Sequence, residues 1–126
     1  MSTLVTDLGF TPDDWTFGFA QEDALDLPSD TDPMSTQFQG VKMIRVDFPN
    51  FADGRGFTIA RQLRLRGYQG RLRAKGHVIA DQYAMARRAG FDEVEIDASL
   101  AQRQPETDWL ARADWQQGDY QARLRG

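Results

Sequence analysis

Val41-Lys42-Met43-Ile44-Arg45-Val46-Asp47-Phe48-Pro49 decides how this chain is read. Branched and aromatic side chains make residues 41–48 a strand. A period of two puts Ile44, Val46 and Phe48 on one face and Met43, Arg45 and Asp47 on the other. Pro49 has no amide to donate to a ladder, so the strand ends there.

Downstream, the period changes. Asp53 is placed to cap a helix, because its carboxylate can accept first-turn amides. Ile59, Ala60 and Leu63 give that helix its apolar stripe, and Gly67 stops it. Gly70 to Lys75 reads as a second strand, with Leu72 and Ala74 inward and Arg71, Arg73 and Lys75 opposite. A second helix is expected from about Val78 to Ala89, ending at Gly90. Val94 and Ile96 mark a third strand. Strand, helix, strand, helix, strand with short turns implies right-handed crossovers. The expected fold is α/β: a small, mostly parallel sheet built from β-α-β-α-β units, open and not a barrel, with helices packed on it.

The flanks are less regular. Trp15-Thr16-Phe17-Gly18-Phe19-Ala20 alternates bulky and small residues, as a strand does. Asp26 to Gly40 holds Pro28, Ser29, Asp30, Asp32, Pro33 and Ser35 and reads as a loop. Ala98 to Thr107 reads as a polar stretch, followed by a helix around Asp108 to Trp115. Trp109, Trp115 and Tyr120 are expected to pack that helix. The 126 residues suit one α/β domain. Its motif-bearing core spans about 41–97, between an acidic segment 1–40 and a helical segment of about 98–126.

The net charge of −4 hides an uneven distribution. Residues 1–40 carry Asp7, Asp13, Asp14, Glu22, Asp23, Asp26, Asp30 and Asp32 and no Lys or Arg. Most of the positive charge lies in residues 41–91, and the tail is acidic again. Two readings follow: the basic centre meets an anion or an acidic partner, or the acidic ends pair with it inside the fold. A pI near 4.9 and the lack of a basic face interleaved with aromatics argue against nucleic acid. No cysteine is present, which excludes disulfides, thiolate catalysis and a self-ligated iron–sulfur cluster. One histidine excludes a His-rich metal site, so no metal site is expected. The first residues lack the basic and apolar runs of a signal peptide, and no stretch approaches a membrane helix. A cytoplasmic protein without its own cofactor is the expectation.

In an open parallel sheet, ligands sit outside the carboxyl ends of the strands. That draws attention to the loops Asp47–Gly56 and Lys75-Gly76-His77. Gly54 and Gly56 could expose amides to an anion, and Arg55 could grip it, with Asp53 pairing to Arg55. The spacing lacks the third glycine of a dinucleotide fingerprint, and no Gly-Lys-Ser/Thr phosphate loop occurs. Asp47 suits a general base or a partner for Arg73 across the sheet. His77 is of the residue type suited to proton transfer near neutrality. Gln82 falls near the centre of the apolar helix face, where an amide needs partners; it either fixes packing or, with Asp81, reaches a ligand.

These residues also carry a resemblance. Val46 to Phe57, then Ala60-Arg61, Leu63-Arg64, Gly67-Tyr68, Gly70, Leu72-Arg73-Ala74, Gly76, Asp81-Gln82, Met85 and Gly90-Phe91-Asp92 resemble a bacterial family of unknown function. Its genes commonly lie beside assimilatory sulfite reductase, and members are often labelled as oxidoreductases of sulfite reduction. His77 departs from the pattern, where the family usually has an acidic residue. The resemblance implies an accessory or binding protein of sulfite reduction, with sulfite reductase or another sulfur-assimilation protein as partner. The alternative is a small enzyme or sensor for a small anionic metabolite in the crevice. The family supplies no catalytic residues. The positions of interest are Asp47, Asp53, Gly54, Arg55, Gly56, Arg73, Asp81 and Gln82.

Overall fold

The computed structural model describes residues 2–15 and 23–115. The segment that composition marked only as acidic begins with a hairpin, β1 (Thr3–Thr6) and β2 (Gly9–Pro12), paired antiparallel. Leu4 and Val5 are fully buried, which is what draws so polar a segment onto the sheet. β3 (Ala24–Leu27) runs into the stretch read as a loop from Asp26. The strand read over residues 15–20 falls, apart from Trp15, outside the described residues.

β4 (Met43–Phe48) is the central strand and alternates as its sequence requires: Ile44, Val46 and Phe48 enter the main apolar cluster. α1 (Arg55–Leu65) buries Ile59, Ala60 and Leu63. Its N-cap is Gly54, one residue later than expected, yet Asp53 still accepts the Arg55 amide at 3.1 Å. β5 (Arg71–Gly76) follows.

The next helix starts later than its apolar pattern suggests. Ile79 is extended, Ala80–Gln82 form a 3-10 turn, and α2 runs from Tyr83 to Ala89. The cause is local: Gln82 folds back so that its Oε1 accepts the Ile79 amide at 3.1 Å. The later start changes the phase. Tyr83, Ala86 and Ala89 form the buried stripe, Gln82 is only half-buried, and Met85 is 54% exposed.

β6 (Glu93–Ile96) leads into α3 (Ala98–Arg103), a helix in the stretch read as polar. Asp97 caps it by accepting the Leu100 amide at 2.8 Å. α4 (Glu106–Leu110) starts and ends earlier than expected, and residues 111–115 form turns. Trp109 is buried there, with its indole donating to the Gln104 carbonyl at 2.8 Å.

Among the described residues the sheet has six strands in the order β2-β1-β6-β5-β4-β3. β3 to β6 are parallel, while β1 runs antiparallel to β6 and to β2. The fold is therefore α/β, but the sheet is mixed and not mostly parallel. The correction comes from the N-terminal hairpin, which covers an edge that β6 would otherwise expose. Buried residues of α1, α2, α3 and α4 join Val5, Ile44, Val46, Phe48, Leu72, Ala74, Val94 and Ile96 in one cluster on one face. Each large apolar side chain withdrawn there contributes roughly 1.5–3 kcal/mol. The other face carries the charges. No helix of the described residues is long and apolar enough to cross a membrane.

Candidate functional site at the carboxyl end of the sheet

Strand periodicity places Asp26, Arg45, Arg71, Arg73, Glu93 and Glu95 on the helix-free face, where they form a ladder across four strands. Arg45 joins Asp26 at 2.6 Å and Glu95 at 3.2 Å. Arg73 is wholly buried and joins Glu93 at 2.6 Å, Glu95 at 2.7 Å and Asp13 at 3.1 Å. Arg71 grips Glu93 through two bonds of 2.7 and 2.9 Å and also meets Asp14. Burial opposes the charge of Arg45 and of Arg71, but their carboxylate partners more than compensate and hold both guanidiniums more firmly protonated than usual. Arg73 does not pair with Asp47: its register partner on β4 is Arg45.

Much of the basic centre is therefore consumed by the acidic N-terminal segment, through Asp7–Arg87, Asp13–Arg73, Asp14–Arg71 and Asp26–Arg45. Among the alternatives read from the charge pattern, internal pairing accounts for these residues.

The Asp53-Gly54-Arg55-Gly56 turn is also internally satisfied. Asp53 accepts Arg55 Nε at 3.0 Å and Nη2 at 2.7 Å, and Arg55 Nη2 also donates to Ser29 Oγ at 2.9 Å. These bonds from Arg55, first from its guanidinium and then from its amide, hold the Asp53 carboxyl down at about 2. Arg55 remains 60% exposed and borders a groove with Ser29, Asp30, Thr31, Pro33 and Thr58. Gly56 serves packing: a Cβ there would lie 2.4 Å from the Phe48 ring. Gly54 has open space around it. Asp81 is exposed and pairs with Arg112 at 2.7 Å. Gln82 donates to the Phe51 carbonyl at 3.0 Å and so ties the loop after β4 to the turn before α2.

Asp47 lies elsewhere on this end of the sheet, in register with Lys75. Asp47 and Lys75 line a groove with Asp26, Leu27 and Pro28, and Lys75 also lines a cavity of about 120 Å3. That cavity sits beyond the ends of β5 and β6. Lys75, His77 and Arg103 contribute cationic or protonatable groups, and Ser2, Glu95 and Asp97 contribute polar ones. Gly76 shapes it: its φ of +113° is open to glycine, and a Cβ would approach the Phe48 carbonyl oxygen to 2.7 Å. The turn this permits lets His77 donate its amide to the same carbonyl at 2.9 Å. The His77 ring meets that carbonyl again through Nδ1 at 3.2 Å and lies edge-on to Phe51.

Within the cavity the carboxylates are already engaged. Glu95 is held by Arg45, Arg73 and Ser2, and Asp97 caps α3. Lys75 and Arg103 form no ion pair among the described residues. Arg103 escaped sequence reading because α3 itself did. The signal was Asp97 three residues ahead of Leu100, a helix start in miniature. Among the described residues, no group of three or more His, Cys, Asp and Glu side chains is placed to hold a metal ion.

Residues 24–126 match the model of a bacterial family of proteins of unknown function, DUF934, and the chain belongs to that family. No curated protein and no solved structure matches it.

Proposed function

We propose that this protein binds a small oxyanion at the carboxyl end of β5 and β6, and that it serves assimilatory sulfite reduction as an accessory protein. One observation carries the binding half. Among the described residues, Lys75 and Arg103 line the same small cavity with no ion pair to a carboxylate, whereas Arg45, Arg64, Arg71, Arg73, Arg87 and Arg112 are all paired. Cations left in a cleft attract an anion, and the enclosed walls strengthen that attraction. The pathway half rests on the resemblance of the motif-bearing core and on nothing in the geometry.

Calorimetric titration with sulfite, sulfate and phosphate tests the site. Each of Lys75→Ala and Arg103→Ala is expected to weaken binding about tenfold, as loss of one charge-assisted contact does. Arg61→Ala, on the outer face of α1, serves as control. Unchanged affinity in both cavity variants removes the site. For the pathway, affinity capture should recover a sulfur-assimilation protein, and a deletion strain should grow poorly on sulfate. Failure of both removes that half.

A second reading, an enzyme acting on a small anionic metabolite in the same crevice, is favoured by the fixed orientation of His77 beside Lys75. Turnover of a bound anion, lost in His77→Gln with binding retained, would establish it.

A further inference from the structure

We infer that anion binding in this cavity is coupled to protonation of His77, and that the ligand is a small oxyanion and not a nucleotide. The inference rests on the anion-binding reading above and adds to it the ligand's size and a proton.

The size follows from the walls. The cavity holds about 120 Å3. Sites for drug-sized molecules run from about 300 to 1,000 Å3. A tetrahedral or pyramidal oxyanion fits such a space, while a nucleoside attached to it would have to lie outside.

The proton follows from hydrogen-bond bookkeeping. A backbone carbonyl only accepts, so the Nδ1 atom facing Phe48 O at 3.2 Å carries the hydrogen. In the neutral ring, Nε2 is then an acceptor. An oxyanion offers only acceptors, so an anion in the cavity that His77 lines can gain a hydrogen bond from Nε2 only when that nitrogen carries a proton. A proton on Nε2 converts that position to a donor and adds a positive charge beside Lys75 and Arg103. Binding and protonation therefore favour one another.

Among the described residues, the other charged groups around His77 are Lys75 on β5, Glu95 on β6, Asp97 at the cap of α3, Arg103 on α3 and Asp47 on β4, whose Oδ1 would lie 3.7 Å from a Cβ at Gly76. Glu95 is locked between Arg45 and Arg73, and Asp97 is engaged by the Leu100 amide. His77 is the group among them whose residue type changes charge near neutral pH.

Sulfate is the probe, because it stays a dianion throughout and contributes no titration of its own. Its affinity for the full chain would be measured by calorimetry from about pH 5.5 to 8.5, a range spanning ordinary imidazole titration. Affinity should fall about tenfold on raising the pH, the limit for one linked proton whose midpoint the ligand raises by about one pH unit. Near neutrality, buffers of different ionisation heat should report proton uptake on binding. His77→Gln should bind with little dependence on pH. The chain has a single histidine, so its imidazole resonance can be followed without assignment. Saturating sulfate should move its midpoint up by about one pH unit, the same tenfold factor; this readout does not depend on the variant folding. Sulfate binding that ignores pH, or a pH dependence that survives in His77→Gln, overturns the inference and leaves the anion site standing. Failure of sulfate, sulfite and phosphate to bind at any pH removes the site and the inference together.

Discussion

Arg73 Nη1 lies 2.7 Å from Glu95 Oε1, with the arginine wholly excluded from solvent and the glutamate 4% exposed. Glu93 lies on the other side of the same guanidinium, 2.6 Å from Nε. One buried cation thus separates two buried carboxylates. Arg73→Met would keep the volume and remove the charge, leaving Glu93 and Glu95 to repel with Arg71 and Arg45 as remaining partners. The expected cost is about 3–5 kcal/mol. Urea unfolding measures it, and a loss below about 1 kcal/mol would show that the ladder redistributes its charge.

Asp53 supplies a cleaner electrostatic test. Its carboxyl should titrate at about 2 by NMR, held down by the Arg55 guanidinium and then the Arg55 amide. A folded value below the ordinary 3.8 means that the pair contributes above that pH and is lost as acid brings the protein through about 2. In Arg55→Ala the midpoint should rise toward the ordinary value. Thermal stability at neutral pH should change little, since water competes for so exposed an arginine.

Gly76→Ala should be costly for its size. The residue sits at φ +113°, and its new methyl would meet a backbone oxygen that cannot rotate away. A loss of about 2 kcal/mol or more is expected, together with weaker anion binding, because the turn positions His77. Gly54→Ala, with open space around its Cβ position, is the matched control.

Asp7 joins the β1–β2 turn to α2 and to Trp115. Tyr83 Oη, Arg87 and Trp115 Nε1 all donate to its carboxylate. Burial pushes the Asp7 carboxyl up, but those donors outweigh it and the net movement is downward from 3.8. Burial first, and then the Asp7 bond, push the Tyr83 phenol well above its usual range. Tyr83→Phe should cost about 1–2 kcal/mol at neutral pH. The deficit should be full above 3.8 and shrink as pH falls from there through the lowered midpoint of the folded protein, where Asp7 takes up its proton and the wild-type advantage is lost. A deficit constant from neutral pH down into acid would mean that ring packing, and not the hydrogen bond, sets the cost.

The central strands were readable because each strand's alternation is decided by its own side chains. Ile44, Val46 and Phe48 cannot face water together, and Leu72 with Ala74 repeats the constraint one strand over. The hairpin was hidden because Leu4 and Val5 are too short a run to stand out from acidic neighbours; they become a strand only beside Val94. α2 misled for the opposite reason. Val78 and Ile79 fit a helical period, yet the Gln82 side chain captures the Ile79 amide and delays the helix. At the site, Asp53 and Arg55 were legible as a pair because they are neighbours. Lys75 and Arg103 converge only through the order of strands, which no local pattern contains.

That strand order also sets a timetable. Thr3 pairs with Ile96, and among the described residues no other strand covers that side of β6. During synthesis β1 must wait until nearly a hundred residues have followed it, from Thr3 to Ile96. Until then β6, or the partly assembled sheet, presents bare amides and carbonyls to whatever strand comes near. Closing so long a loop is slow, and the last pairing made is the one that seals the edge. The hairpin is thus a late-acting guard against self-association, and a chain slowed in docking it should clump before it unfolds.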